Sequence, residues 1–140
     1  MVMAYLEYIS ELLYENDCVI VPGLGGFVAN YKPASLSKGT HVSFNPPSKT
    51  ILFNAKLNHN DGLFIDFVAS EKEISFNEAR DEVFAFVKQV KHRLRTGERI
   101  DISSVGFLRN NPEDKLEFEP VYDSNLLVES YGLASFTLAS

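Results

Sequence analysis

The sequence predicts an α+β fold made of two similar units in series. Each unit is a helix followed by a hairpin and arm that form a three-stranded antiparallel sheet. Three observations predict this. Apolar residues recur at helical spacing in residues 2–15 and again in residues 75–97. A pair of β-rich runs around a glycine-bearing turn follows each helix. When the chain is shifted by 81 residues, the apolar positions of the two regions superimpose.

In the first region Val2, Leu6, Ile9 and Leu13 are spaced as one helical face, flanked by Met3, Tyr5 and Leu12, and Asn16 is expected to end the helix in a left-handed conformation. The stretch CVIVPGLGGFVANY then reads as two strands around a Pro-Gly turn. Residues 32–48 hold three prolines, a glycine and four serines, the composition of an extended arm or long loop. KTILFNA is a strand, and DGLFIDFVASEKE a short helix with Leu63, Phe64, Phe67 and Val68 on one side.

The clearest helix is SFNEARDEVFAFVKQVKHRLRTG. Ser75 and Glu78 form a capping box, in which each side chain satisfies the other residue's orphan backbone N–H. Ala79, Val83, Phe86, Val87, Val90 and Leu94 make the buried stripe, with Phe84 at its edge, and Gly97 ends the helix. Strands RIDIS, GFLRN and LEFEPV follow, the last two joined by a short turn at NPEDK. The tail from Asp123 reads as a short strand or a turn of helix.

The 81-residue shift places Val2 on Val83, Tyr5 on Phe86, Leu6 on Val87, Ile9 on Val90 and Leu13 on Leu94. It also places Asn16 on Gly97, Gly25 on Gly106 and Phe27 on Leu108. The repeat bears on the glycines of the first turn, Gly23, Gly25 and Gly26. A phosphate-cradling Walker loop ends in Gly-Lys-Ser/Thr, and a dinucleotide loop reads G-x-G-x-x-G. Here Gly26 is followed by Phe27 and a β-like run, and the second copy replaces the first glycine with serine. Gly23, Gly25, Gly26, Phe27 and Gly106 are therefore expected to be structural turn residues, supplying positive φ and close backbone approach in hairpins.

Composition narrows the function. A single cysteine, Cys18, excludes an intrachain disulfide framework and a multi-cysteine zinc site, and its apolar setting predicts a buried, inert thiol. His41, His59 and His92 lack metal-ligand spacing, and the carboxylate pairs Asp61/Asp66 and Asp81/Glu82 read as solvated or capping helix residues. No nucleophile elbow is present, so no enzyme, cofactor or small-molecule substrate is expected. No run reaches the roughly 20 apolar residues of a membrane span. The net charge of −6 disfavours a generic nucleic-acid coat. The charge is uneven, however. Residues 18–60 contain Lys32, Lys38, Lys49 and Lys56 with no acid, whereas residues 113–129 contain six acids and only Lys115.

The order helix, turn, strand, Gly-x-Gly-x-Phe turn, strand, arm, strand and helix resembles the fold of HU and integration host factor, the bacterial nucleoid proteins. CVIVPGLGGF is similar to that family's strand-turn-strand, with Gly23, Gly25 and Phe27 at its Gly, Gly and Phe. The span from Asp61 to Leu108 resembles the family's N-terminal half, and PPSKTILFNAKLNHNDGLFIDFVAS its last strand and C-terminal helix. More narrowly, the chain resembles a bacterial group of tandem HU-like domains classed with those of a eukaryotic centrosomal coiled-coil protein. Members of that group often precede a membrane helix and a SPOR peptidoglycan-binding domain. The resemblance implies an intramolecular pseudo-dimer, with a first unit over residues 1–58, whose last helix at 60–72 is shared, and a second unit over residues 59–140. It also implies a cytoplasmic location, tethered to the inner membrane where the chain is part of a longer envelope protein.

HU proteins bind DNA with Arg/Lys-rich arms tipped by a proline that wedges between bases. Here the first arm, Tyr31 to Ser48, carries Lys32 and Lys38 without arginine, Pro46 and Pro47 fall near the base of the returning strand, and the second arm shrinks to RNNPEDK with Glu113 and Asp114. The expected function is therefore a noncatalytic binding or scaffold module, with another protein or its own kind as partner. The alternative is DNA binding through Lys32, Lys38, Lys49, Lys56 and Arg109, joined by the helix-end cations Lys88, Lys91, Arg93, Arg95 and Arg99.

Overall fold

The computed structural model describes residues 2–37, 43–45 and 47–120. Helix α1 (Val2–Glu15) leads into strands β1 (Cys18–Val21) and β2 (Gly25–Lys32). A small hairpin, β3 (Ser35–Ser37) and β4 (Ser43–Asn45), forms the arm, and β5 (Ser48–Asn54) returns from it. Helices α2 (Leu63–Lys72) and α3 (Phe76–Arg95) precede strands β6 (Ile100–Ile102), β7 (Gly106–Asn110) and β8 (Leu116–Pro120). The strands make two three-stranded antiparallel sheets, β1-β2-β5 and β6-β7-β8, apart from the arm. Lys38, Pro46 and the tail beyond Pro120 lie outside the described residues.

The repeat is a structural one. Val21 pairs with Gly25 and Val19 with Phe27, while Ile102 pairs with Gly106 and Ile100 with Leu108, which is the same register shifted by 81. Both hairpin turns close with one backbone bond of 3.0 Å, Leu24 N–H to the Val21 carbonyl and Val105 N–H to the Ile102 carbonyl. The matched positions Val2/Val83, Tyr5/Phe86, Leu6/Val87, Ile9/Val90, Leu13/Leu94, Val19/Ile100, Val21/Ile102, Leu24/Val105 and Phe27/Leu108 are all buried in one hydrophobic core.

Two contacts show how the units meet. Tyr5 stacks on Phe86, its own equivalent, with centroids 4.9 Å apart. Phe53 and Phe118 occupy equivalent places, paired to Phe27 and Leu108, and their rings lie 6.1 Å apart. A residue that touches its own counterpart marks a two-fold axis, as in an isologous dimer interface. Here that axis relates two halves of one chain. The halves also exchange contacts. Ser10 of α1 donates to the Ser103 carbonyl in the second hairpin turn at 2.8 Å, and Val87 of α3 sits against Gly23 in the first. Phe27 completes the joint, with its ring 5.0 Å from Phe53 and 5.5 Å from Phe118.

The ends of α3 follow the sequence. Glu78 N–H donates to Ser75 Oγ at 3.1 Å and Ser75 N–H to Glu78 Oε1 at 3.2 Å, the two bonds of a capping box. At the other end Gly97 takes φ +90, with Gly97 N–H on the Leu94 carbonyl and Glu98 N–H on that of Arg93, a Schellman close. Asn16 corrects its expectation. It is not left-handed. Its backbone N–H and side-chain amide both donate to the Leu12 carbonyl, at 2.8 and 3.0 Å, so α1 ends by side-chain capping. In α2 the buried side is Phe64, Ile65 and Val68, with Leu63 and Phe67 only half-buried, because the helix wedges between α1, β1 and α3. Cys18 is half-buried rather than interior.

Candidate functional site

The glycine turn is built for backbone proximity. Gly23 has φ +82, and Ser104 takes the same left-handed conformation at φ +63 in the second turn. Gly25 and Gly106 open β2 and β7, and neither opens a helix. A Cβ on Gly25 would lie 2.3 Å from the Phe53 ring, and one on Gly106 would lie 2.2 Å from the Glu119 carbonyl oxygen. Gly26 is covered by Leu57, whose Cβ would be 2.8 Å from an added methyl. The glycines thus let the third strand and its phenylalanine close over each hairpin.

Among the described residues the candidate phosphate ligands stand in different settings. Lys32 is exposed at the end of β2, opposite Ser48, and Lys56 is exposed in the turn after β5. Lys49 corrects its expectation. It is 2% exposed, and its ammonium donates to the Leu13 carbonyl at the C-terminal end of α1. Burial pushes it below the usual lysine range, and the charge of Asp17 opposes this in part. A cation held there caps a helix whose last turn has no basic residue of its own, and it is not positioned to meet a phosphate. Arg109 is exposed but bracketed by carboxylates, 3.6 Å from Glu117 and 3.4 Å from Glu119. Arg99 pairs with Asp101 at 2.9 Å and lies over the Phe107 ring. In contrast, Lys88, Lys91, Arg93 and Arg95 are exposed on α3 with no ion pair among the described residues.

Strand alternation gives each sheet an inner and an outer face. The inner faces match. The outer faces do not. On the first sheet Cys18, Val28 and Leu52 form a row across three strands, with Ile20 beside it, and Leu52 is 51% exposed. At the equivalent places the second sheet carries Arg109 for Val28, Glu117 for Leu52 and Asp101 for Ile20. The first sheet therefore shows a partly exposed apolar row, with Leu52 exposed, Cys18 and Val28 half-buried and Ile20 buried, where the second shows a self-neutralising charged one.

One polar cluster escaped sequence reading. Lys72 of α2 meets Glu82 of α3 at 2.5 Å and Tyr5 of α1 at 3.1 Å, and the Tyr5 hydroxyl donates to Glu82 at 2.5 Å. The Lys72 and Tyr5 hydrogen bonds hold the Glu82 carboxyl below its ordinary value, and burial raises the Tyr5 phenol. The cluster pins three helices at the pseudo-two-fold axis. Its only sequence signal was the acid–base sign of two residues ten apart. Among the described residues no group of three or more His, Cys, Asp or Glu is placed to hold a metal ion, and no helix is long and apolar enough to cross a membrane.

Family models settle the lineage. Residues 3–61 match the CCDC81-like prokaryotic HU domain 1, and residues 62–131 match domain 2. The chain belongs to the CCDC81-like prokaryotic HU family. No curated protein and no solved structure matches it. The tandem HU domains explain the geometry. Where HU builds its body from two chains, this family member writes both halves into one, joined at Tyr5/Phe86 and Phe53/Phe118.

Proposed function

We propose that this chain is a noncatalytic HU-fold module that binds another protein through the outer face of its first sheet. The observation that carries this reading is the row Cys18, Val28 and Leu52, with Leu52 exposed and the other two half-buried, apolar at the places where the second sheet carries Arg109 and Glu117. Exposed contiguous apolar surface rimmed by polar residues is characteristic of protein-interaction sites. Lys32 and Lys56 are exposed on the same stretch, which is free of acids. The electrostatics argue against DNA wrapping. The second hairpin presents Glu113, Asp114, Glu117 and Glu119, and two of the five candidate phosphate ligands, Lys49 and Arg109, are already engaged. A tethering role beside a membrane helix and a SPOR domain on the cytoplasmic side fits the same reading.

A second reading, DNA binding, draws on the cations Lys88, Lys91, Arg93 and Arg95, which have no ion pair among the described residues. Anisotropy titration of a labelled duplex separates the two. The protein-binding reading expects no salt-dependent association at low ionic strength. Measurable affinity that falls with salt by about 0.9 log units per neutralised phosphate for each log unit of salt would replace it with the DNA reading.

A further inference from the structure

We infer that the chain associates with further copies of itself head to tail, the acidic face of α1 in one copy lying on the basic face of α3 in the next. Glu7, Glu11 and Glu15 stand at i, i+4 and i+8 on α1, in one exposed stripe with no ion pair among the described residues. On α3, Lys88, Lys91, His92 and Arg95 form an exposed stripe of the opposite sign. The two stripes are counterparts. The 81-residue repeat sets Glu7 on Lys88 and Glu11 on His92, so the same patch of the same structural element is acidic in one half and basic in the other.

Helix stability does not explain the acidic stripe. Carboxylates four apart repel one another, and Glu15 sits in the last turn of α1, at the negative end of the helix dipole, where the helix has no basic residue of its own. Nor do the stripes neutralise each other within one copy. They are related by the internal two-fold that passes between Tyr5 and Phe86, and no ion pair joins them among the described residues. Between copies they meet as like elements of matched spacing and opposite charge. Each stripe also borders a depression. Lys91 and Arg95 edge one of about 200 Å³ floored by Leu94 and Leu116, with Asn110 and Asp114 on its other side. Glu7 and Glu11 edge one of about 240 Å³ closed by Ser103 and Ser104. The interface is heterologous, so each contact leaves one acidic and one basic face open at the ends, and assembly continues past two copies. A second copy is favoured over nucleic acid because the chain as a whole carries −6 and supplies the complementary stripe itself.

The contact uses a surface other than the outer face of the first sheet, and Leu52→Lys is expected to leave it intact. Sedimentation velocity is the test. In about 50 mM salt the average mass should rise with protein concentration beyond that of two copies, and in about 500 mM salt it should return to that of one. Glu7→Lys/Glu11→Lys and Lys88→Glu/Lys91→Glu should each weaken association by roughly 100-fold, through like-charge contact, while keeping the wild-type circular dichroism spectrum. An equimolar mixture of the two variants should assemble again, because each then offers the other a complementary face. The inference is overturned by a wild-type chain that stays single at low salt. It is equally overturned by reversed variants that associate as the wild type does, or by a mixture that stays dissociated. Duplex binding by a single-copy protein, lost in Lys88→Glu/Lys91→Glu, would give the α3 face to nucleic acid instead.

Discussion

The first and second sheets share a register and an inner face but differ completely outside. Val19, Val21 and Phe27 face the core from one hairpin, as Ile100, Ile102 and Leu108 do from the other. On the far side, Val28 and Leu52 are replaced by Arg109 and Glu117. A duplicated unit is held to its pattern only where its side chains complete a common interior, since cores tolerate little change of volume or polarity. The solvent side is free to diverge. Separating the halves' surfaces is what a single-chain pseudo-dimer permits and a symmetric homodimer does not.

The strongest way to break the comparison is at its joint. Phe27 touches aromatic rings from both sheets, so Phe27→Ala should cost about 3–5 kcal/mol and Leu108→Ala about 2–5, each lowering the urea midpoint of the whole chain. A variant that melts only its own sheet would show the halves to be independent.

The hairpin glycines sharpen it next. A Cβ at Gly106 meets the Glu119 backbone, which cannot turn aside, whereas at Gly25 it meets mainly the Phe53 ring. Gly106→Ala should therefore destabilise more than Gly25→Ala, with each costing on the order of 1–3 kcal/mol from strain and overpacking. Equal midpoints in thermal melts would refute the asymmetry.

A smaller effect lies at the axis, where Tyr5 and its counterpart Phe86 differ by one hydroxyl. The pKa of Glu82 is lower in the folded chain than its ordinary 4.5. Its stabilisation is therefore complete above 4.5 and disappears as pH falls through the folded value. Lys72 is shifted upward from 10.5, so its share is present below that pH and is lost as pH rises through its folded value. With Glu82 38% and Lys72 29% exposed, solvent screening limits the pair to about 1 kcal/mol or less. Lys72→Met should remove that amount near neutrality and flatten the acid limb of a stability–pH curve. An unchanged acid limb would exclude the pair as its source.

Most of the fold was legible because burial leaves a periodic trace. The stripe from Ala79 to Leu94, the capping box at Ser75 and the repeat itself follow from spacing alone. The site was less legible. Lys49 shares strand phase with Ile51 and Phe53, the inward side of β5, but its charge suggested solvent, and only the free Leu13 carbonyl at the end of α1 explains an inward lysine. Asn16 ends its helix through a side-chain amide hydrogen bond where Gly97 uses positive φ, two solutions to one need that alignment cannot distinguish. The carboxylates around Arg109 emerge only once β7 and β8 are placed in register.

The smallest expected change is the most telling about the surface. Exchanging Arg109 and Glu117 for the Val and Leu of the first sheet removes exposed ion pairs and should alter stability by no more than about 0.5 kcal/mol. A loss of several kcal/mol in chemical denaturation would mean that the outer charges hold the sheet together.

The claim beneath all of this is that the two halves share one interior. Urea unfolding followed by NMR, reading backbone amides of β2 and β7 separately, tests it most directly. A shared interior predicts one midpoint for both strands, and an equal shift of both in Phe27→Ala. Two distinct midpoints, or a β7 that keeps its midpoint when Phe27 is truncated, would contradict it.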